Sequence, residues 1–400
     1  MSRYQGWLLI GVTAGACLLG SWAVSLGVTM PERDGFNIVE WELRHIPGKW
    51  LYQAGRLFRG ELSAAEGDER LAGFLLVTAR IDELERRLSS EDEGQRAELT
   101  RLRDERDELE NDAEAVIEGR LTAVLEEAGL ESSLPLFPEA RWVWPPVDVE
   151  FDEPPRSLAI SPRERIELIE RRPLKPGLPL SAAVDLEAEE ERSGDRSALV
   201  RPISGAATYP SIVEPTGGYE RLVATVAHEW VHHYLFFKPL GLRYYASNEL
   251  RTLNETVADI AGAGLAALLV ERYPLPPGIE AELASLTPAA PAVDVGAALR
   301  ELRIEVEALL DEGRVEEAEA LMERRRQELS EQGAVFRRIN QAFFATRSLY
   351  ATGPASIDPI GEQLSTLRQR SESVGAFLRQ AAGLTSGGDL ERLLEETVLR

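Results

Sequence analysis

The sequence predicts an α+β protein that is mostly helical, with a small sheet in its middle third. Three observations carry this prediction. Apolar residues recur at helical spacing over residues 71–130 and again from residue 219 onward. Short runs of alternating or β-branched character are confined to residues 147–213. Residues 135–155, between the first helical stretch and the strands, are rich in proline, which interrupts both patterns.

The chain opens on an apolar segment. Residues 7–28 read WLLIGVTAGACLLGSWAVSLGV and carry no charge. At about 1.5 Å per residue such a helix spans a hydrocarbon core of about 30 Å. Arg3 precedes it, and Glu32, Arg33 and Asp34 follow. The positive-inside rule then favours a cytoplasmic N-terminus and an exported remainder. Ala23-Val24-Ser25 is a passable cleavage site, so a removed signal peptide is the alternative. The apolar run exceeds the roughly 7–15 residues of a signal core, which favours an uncleaved single-pass anchor over residues 1–35. Cys17 reads as a small lipid-facing residue, because Ala14-Gly15-Ala16 lacks the leucine of a lipoprotein signal.

Residues 36–140 form the next region. Trp41, Trp50 and Tyr52 suit an interface or a packed core. Ile81, Leu84 and Leu88 share one helical face and residues 89–94 break the run. Leu99, Leu102, Leu109, Val116, Leu121 and Leu125 resume it at spacings that keep one face apolar. This predicts two antiparallel helices joined through a leucine seam, a surface that could also mediate self-association.

Residues 141–275 are the expected α+β core. Strands are predicted at 147–151, 157–160, 198–203 and 208–213. Ser161-Pro162-Arg163-Glu164 has the form of a capping box, which predicts a short helix through Ile169. Residues 187–195 are dense in charge and predict an exposed loop. Gly217-Gly218 then release a helix over 219–237, stopped by Pro239 and Gly241; a second runs over 248–273 and ends at Pro274. Residues 276–400 are a helical C-terminal region, with helices at 295–310 and 315–332 and amphipathic segments beyond.

Composition narrows the chemistry. With 68 acidic residues against 44 basic ones the net charge is −24, a surface that repels nucleic acid. One cysteine excludes an intramolecular disulfide and leaves no thiolate ligand outside the apolar segment. A metal site must be built from histidine and carboxylate. The four histidines are His45, His228, His232 and His233, three of them within one six-residue stretch.

Residues 225–236 read TVAHEWVHHYLF, in which His228-Glu229-Trp230-Val231-His232 fits HExxH. Positions four apart share a helical face, so both imidazoles reach one cation, and Glu229 stands where it can take a proton from water. Zinc needs a third protein ligand and an open position. No histidine or cysteine follows, so the ligand is a carboxylate or an amide. The second helix offers Asn254-Glu255-Thr256-Val257-Ala258-Asp259. Glu255 can close the metal triad, and Asp259, four residues on, can accept the remaining N–H of a ligand histidine. His233 points about 100° away from His232 and reads as a packing residue. His45 and Trp230 read as interfacial or core residues.

HExxH followed by a helical NExxxD resembles the gluzincin metallopeptidases, thermolysin-like enzymes included. More loosely, with Asn340, Gln341, Ala342, Phe343, Phe344, Tyr350 and Phe377-Leu378, the chain is similar to a bacterial group of membrane-associated aminopeptidases. The specific match covers residues 219–265 alone. What the resemblance implies is a zincin-like catalytic domain, Zn2+, a peptide or protein substrate, and an upstream edge strand to which substrate adds. By position residues 208–213 would be that strand. Thermolysin-like enzymes also use a later histidine to stabilise the oxyanion, and none follows Glu255 here. That role would fall to a tyrosine, an arginine or another donor: Tyr350 is the first choice, with Tyr244 and Tyr245 in the loop between the two helices as alternatives. Two rival readings remain, a zinc hydrolase acting on a non-peptide amide and an inactive, membrane-anchored helical scaffold.

Overall fold

A computed structural model describes residues 34–59, 62–87, 93–134, 137–216 and 218–398. The predicted membrane anchor falls almost wholly outside these residues. The protein is a mostly helical α+β structure with three small sheets. Helix α1 (Ile38–Arg59) is followed by a long antiparallel pair, α2 (Ala64–Arg87) and α3 (Glu93–Glu127). These two pack along their lengths: Ile81, Leu99, Leu102, Leu121 and Leu125 of the predicted seam are buried between or beneath them. Leu71, Phe74 and Ile117, absent from the predicted seam, join them, while Leu88 lies outside the described residues. Trp41 of α1 is in the interior and donates from Nε1 to Asp152 at 2.7 Å.

The strands depart from expectation in instructive ways. β1 (Glu131–Leu134), just before the proline-rich residues 135–155, and β2 (Phe137–Val143), inside them, form an antiparallel ribbon where no strand is predicted. Both strands of a ribbon are edges, where a missing N–H is tolerated. β3 (Val149–Phe151) and β4 (Arg156–Pro162) match the predicted strands. The expected helix after Ser161 is absent, and the chain instead turns back into β5 (Glu170–Leu174), antiparallel to β4. Ser161 Oγ accepts from Glu167 N at 3.2 Å and donates to Arg165 O at 3.2 Å, so the capping residue closes a hairpin loop. The expected charged loop is largely helix, α4 (Leu180–Glu191). Its Glu187 is buried, accepts from Val200 N at 2.6 Å and is ion-paired with Arg337 and Arg338. Partners distant in sequence convert a run of charge into a packed face.

β6 (Arg196–Arg201) completes a sheet of order β5-β4-β6, and β7 (Gly205–Ala206) and β8 (Ser211–Val213) join β3 in the order β3-β8-β7. The strand predicted at 208–213 is therefore the centre of its sheet. The edges of that sheet are β3 and β7.

Helices α5 (Tyr219–Phe236), α6 (Pro239–Leu242) and α7 (Asn248–Arg272) follow. Gly218 starts α5 at φ 84°, a conformation that disfavours any Cβ. Ser247 caps α7 by accepting from Leu250 N at 3.1 Å. α7 is long and apolar enough to cross a bilayer, yet 61% of its most apolar window is buried in this protein. It packs on α5, α3 and four other helices, where each buried leucine or valine contributes about 1.5–3 kcal/mol. Its apolarity is satisfied in the interior.

The remainder is helical: α8 (Ile279–Leu286), α9 (Val295–Asp311), α10 (Val315–Glu331), α11 (Gln341–Arg347), α12 (Pro359–Arg370), α13 (Val374–Ala381) and α14 (Gly387–Val398). The largest core joins α2, α3, α5, α7, α12 and α13 around Trp230, Leu253, Val257 and Phe377. A second core packs α9, α10 and α11 onto Ala159 and Leu199 of the β5-β4-β6 sheet. The opposite face of that sheet, with Leu158, Ile160 and Val200, packs on Ala183 of α4.

Candidate metal centre

α5 and α7 approach closely where α7 carries Gly262 against the His228 backbone of α5. A Cβ on Gly262 would lie 2.9 Å from His228 N and 3.0 Å from His228 Cα, so glycine sets the approach of the two helices. That approach carries the α5 imidazoles onto the α7 carboxylate. His232 Nε2 lies 3.0 Å from His228 Nε2, 3.4 Å from Glu255 Oε2, and His228 Nε2 lies 3.7 Å from the same oxygen. Atoms at about 2.0–2.1 Å from a tetrahedral ion stand about 3.3 Å apart, close to the observed triangle. His228, His232 and Glu255 thus come together as the sequence predicts.

Each ring is oriented from behind. His232 Nδ1 donates to Asn254 Oδ1 at 2.9 Å, and His228 Nδ1 faces Asp259 Oδ1 at 3.3 Å. His228 Nε2 and His232 Nε2 face each other at 3.0 Å: with His228 protonated this contact is a hydrogen bond, and with both rings neutral and protonated on Nδ1 it leaves two lone pairs that a cation would bridge. Burial would lower His228, but its hydrogen bonds with Asp259 and Glu255, and the charge of Glu229, push it up to about 10. Burial opposes ionisation of Glu255 as well, yet the charge of His232 and hydrogen bonds from both imidazoles hold its carboxyl well below the usual range. Two imidazoles and one carboxylate, all desolvated, form a donor set that could hold a divalent metal ion, zinc among them.

Tyr244 donates its hydroxyl to Glu255 Oε1, which leaves Oε2 to face the imidazoles. Among the predicted alternatives for the missing donor, Tyr244 is thus engaged with the ligand. Tyr245 is exposed and stacks edge-on against it. Tyr350 stands over His228, with ring centroids 6.2 Å apart. It is held there by α7. Thr252 Oγ1 donates to Ser348 O at 3.4 Å, Thr256 Oγ1 accepts from Ala351 N at 3.0 Å, and Thr352 Oγ1 donates to Asp259 Oδ2 at 3.2 Å. The charge of Glu255, and then burial, push the Tyr350 phenol up, so it remains a proton donor.

Glu229 is 6% exposed and lies against β7, where a Cβ on Gly205 would fall on its carboxylate. Burial holds Glu229 above its ordinary value, with His228 and His232 opposing. His233 takes no part in the cluster. Its Nε2 donates to Thr208 O at 2.7 Å, and burial pushes it down to about 4, a neutral packing residue as expected. His45 stacks on Trp41, and Trp230 donates to Pro145 O at 2.8 Å from within the core.

Sequence reasoning missed two contributions. Asn254 holds His232, a role hidden because the pattern gave only Asp259 that task. Arg171 of β5 and Arg201 of β6 act electrostatically on Glu255 and Tyr350. The run Glu170-Arg171-Arg172 was the available signal, and it becomes readable only once the strand register is known. No family model, curated protein or solved structure matches this chain.

Proposed function

We propose that the chain is a membrane-anchored, zinc-dependent peptidase whose catalytic part is exported. The observation that carries this is the convergence of His228 Nε2, His232 Nε2 and Glu255 Oε2 at 3.0–3.7 Å, with Glu229 buried beside them. Bound at these three residues, Zn2+ would supply a Lewis acid that polarises a carbonyl and lowers the pKa of water. Glu229 takes the proton of the attacking water and returns it to the leaving amine. A carboxyl raised above its ordinary value is the better matched to that exchange. The Tyr350 hydroxyl donates to the oxygen on which negative charge develops. β7 presents a sheet edge beside Glu229, to which an extended peptide would add as a further strand.

The test is metal content of the purified chain together with digestion of a peptide library, for the parent and for Glu229→Gln. The expected result is one zinc per chain in both and cleavage by the parent alone. Full activity in Glu229→Gln sinks the mechanism. Zinc without cleavage of any peptide points to a non-peptide amide, and a chain that binds no zinc is a scaffold.

A further inference from the structure

Three arginines stand unpaired on one side of the metal centre. In the β5-β4-β6 sheet Ala159 pairs with Arg171 and Ser157 with Arg201. Residues two apart on β4 point to one face, so both arginines project from the same face. That face is the one on which α11 packs through Ala342, Phe343 and Phe344. Arg347, in the last turn of α11, lies 4.0 Å over the Phe343 ring, and Tyr350 follows three residues later.

Other arginines around this sheet are paired: Arg163 with Glu319, Arg172 with Glu190, Arg337 with Glu187 and Arg338 with Glu191. Among the described residues no carboxylate lies within ion-pair distance of Arg171, Arg201 or Arg347. Arg201 donates only to its neighbour Pro202 O, at 3.3 Å. In a chain with 24 excess negative charges, three adjacent guanidinium groups without an anion are a deliberate exception. Their charges act on one another: burial, then Arg201, lowers Arg347 to about 10, and Arg171 opposes the charge of Arg201. The charge of Glu255 acts on Arg171 and Arg201 from beyond ion-pair distance, while Tyr244 and the two imidazoles contact its oxygens.

We propose that Arg171, Arg201 and Arg347 form the subsite that binds a carboxylate of the substrate beside the metal centre. The inference rests on the peptidase reading and names its substrate class, an acidic peptide. Guanidinium forks match a carboxylate in two-pronged geometry, and Arg171, the exposed member, meets it first. The carboxylate has two sources, a peptide C-terminus or an aspartate or glutamate side chain.

The experiment measures binding by calorimetry to the full zinc-loaded chain carrying Glu229→Gln, which holds peptides without cleaving them. The probes are an acetylated tripeptide as free acid and as amide, and an acetylated peptide amide with glutamate or glutamine inside. One of the two acidic probes should bind at least about tenfold tighter than its neutral twin, the effect of one charge-assisted hydrogen-bonded pair. Preference for the free acid assigns the C-terminus; preference for internal glutamate assigns the side chain. Arg171→Gln and Arg201→Gln should each remove the preference with zinc content and melting temperature unchanged. Acid and neutral probes that bind equally, or a preference that survives both substitutions, overturn the subsite. A chain that binds zinc and cleaves peptides yet ignores carboxylate refutes only this inference. One that prefers the acid but cleaves no peptide refutes only the peptidase reading.

Discussion

Removing the acceptor behind His232 should weaken zinc binding more than removing the one behind His228. Asn254 is 1% exposed and its Oδ1 lies 2.9 Å from His232 Nδ1. Asn254→Ala leaves a buried imidazole N–H without a partner, at a cost of about 1–3 kcal/mol. At about 1.4 kcal/mol per factor of ten, that is a loss of roughly 5–150-fold in affinity. The Asp259 side chain is 36% exposed and its contact is longer, 3.3 Å. Water can replace it, so Asp259→Ala belongs near the lower end of the roughly 10–100-fold range for residues that orient metal ligands. Expected losses are about 100-fold for Asn254→Ala and about tenfold for Asp259→Ala. Competition for zinc against a chromophoric chelator, at fixed pH, reads both, with melting curves recorded in parallel. If Asp259→Ala costs as much as Asn254→Ala in folded protein, burial does not govern the orientation of these rings and the reasoning fails.

Glu255→Ala should abolish tight zinc binding; a chelator titration that matches the parent would move the third ligand elsewhere. Tyr350→Phe should lower kcat by about 10²–10³ with zinc content unchanged. Tyr244→Phe should instead weaken zinc binding, since its hydroxyl holds Glu255 Oε1, and the opposite pattern would reverse the two roles. A further expectation concerns the acidic interior beside α3. Burial, and then the charge of Glu114, raise Glu110 to about 8. A carboxyl whose folded value is raised stabilises the fold while protonated and loses that contribution as pH climbs through the folded value. Melting temperature should fall between pH 5 and pH 8 in the parent, and Glu110→Gln should flatten that slope and raise stability at about pH 8. An unchanged slope would refute the raised value.

The two helices of the centre were legible because helical periodicity and the HExxH spacing point to the same face. His228, His232, Glu255 and Asp259 need nothing beyond the 3.6-residue repeat once α5 and α7 are adjacent. Asn254 was not legible, since its contact depends on how closely Gly262 lets the helices cross. Arg171 was hidden by a misread segment: a capping box predicts a helix over residues that instead form the loop into β5. Local capping chemistry is satisfied in both structures, and only the pairing of β5 with β4 decides between them. The helix α4 was missed for a related reason, because the partners of Glu187 lie 150 residues away. Tyr350 could be proposed from its place among apolar and small residues, but the bonds that seat it come from threonines on α7.

That seating ties the candidate metal-binding residues to the C-terminal region. Thr252, Thr256 and Asp259 recur at spacings of four and three, which places them along one face of α7. All three bond to residues 348–352, so the segment follows the helix that supplies Glu255. Asp259 belongs to both sets. Its Oδ1 faces His228 while its Oδ2 accepts from Thr352, and a carboxylate held at both oxygens cannot rotate without loosening one of them. One side chain thus contributes both to the orientation of the imidazole and, beside Thr252 and Thr256, to the seating of the segment that carries Tyr350. A cation bound at His228 would strengthen its hydrogen bond to Asp259 Oδ1 and so favour the orientation in which Oδ2 accepts from Thr352. If a metal ion binds at the centre, its effect should therefore reach Thr352 and the neighbouring Tyr350 through Asp259, and Asp259→Ala should remove that link.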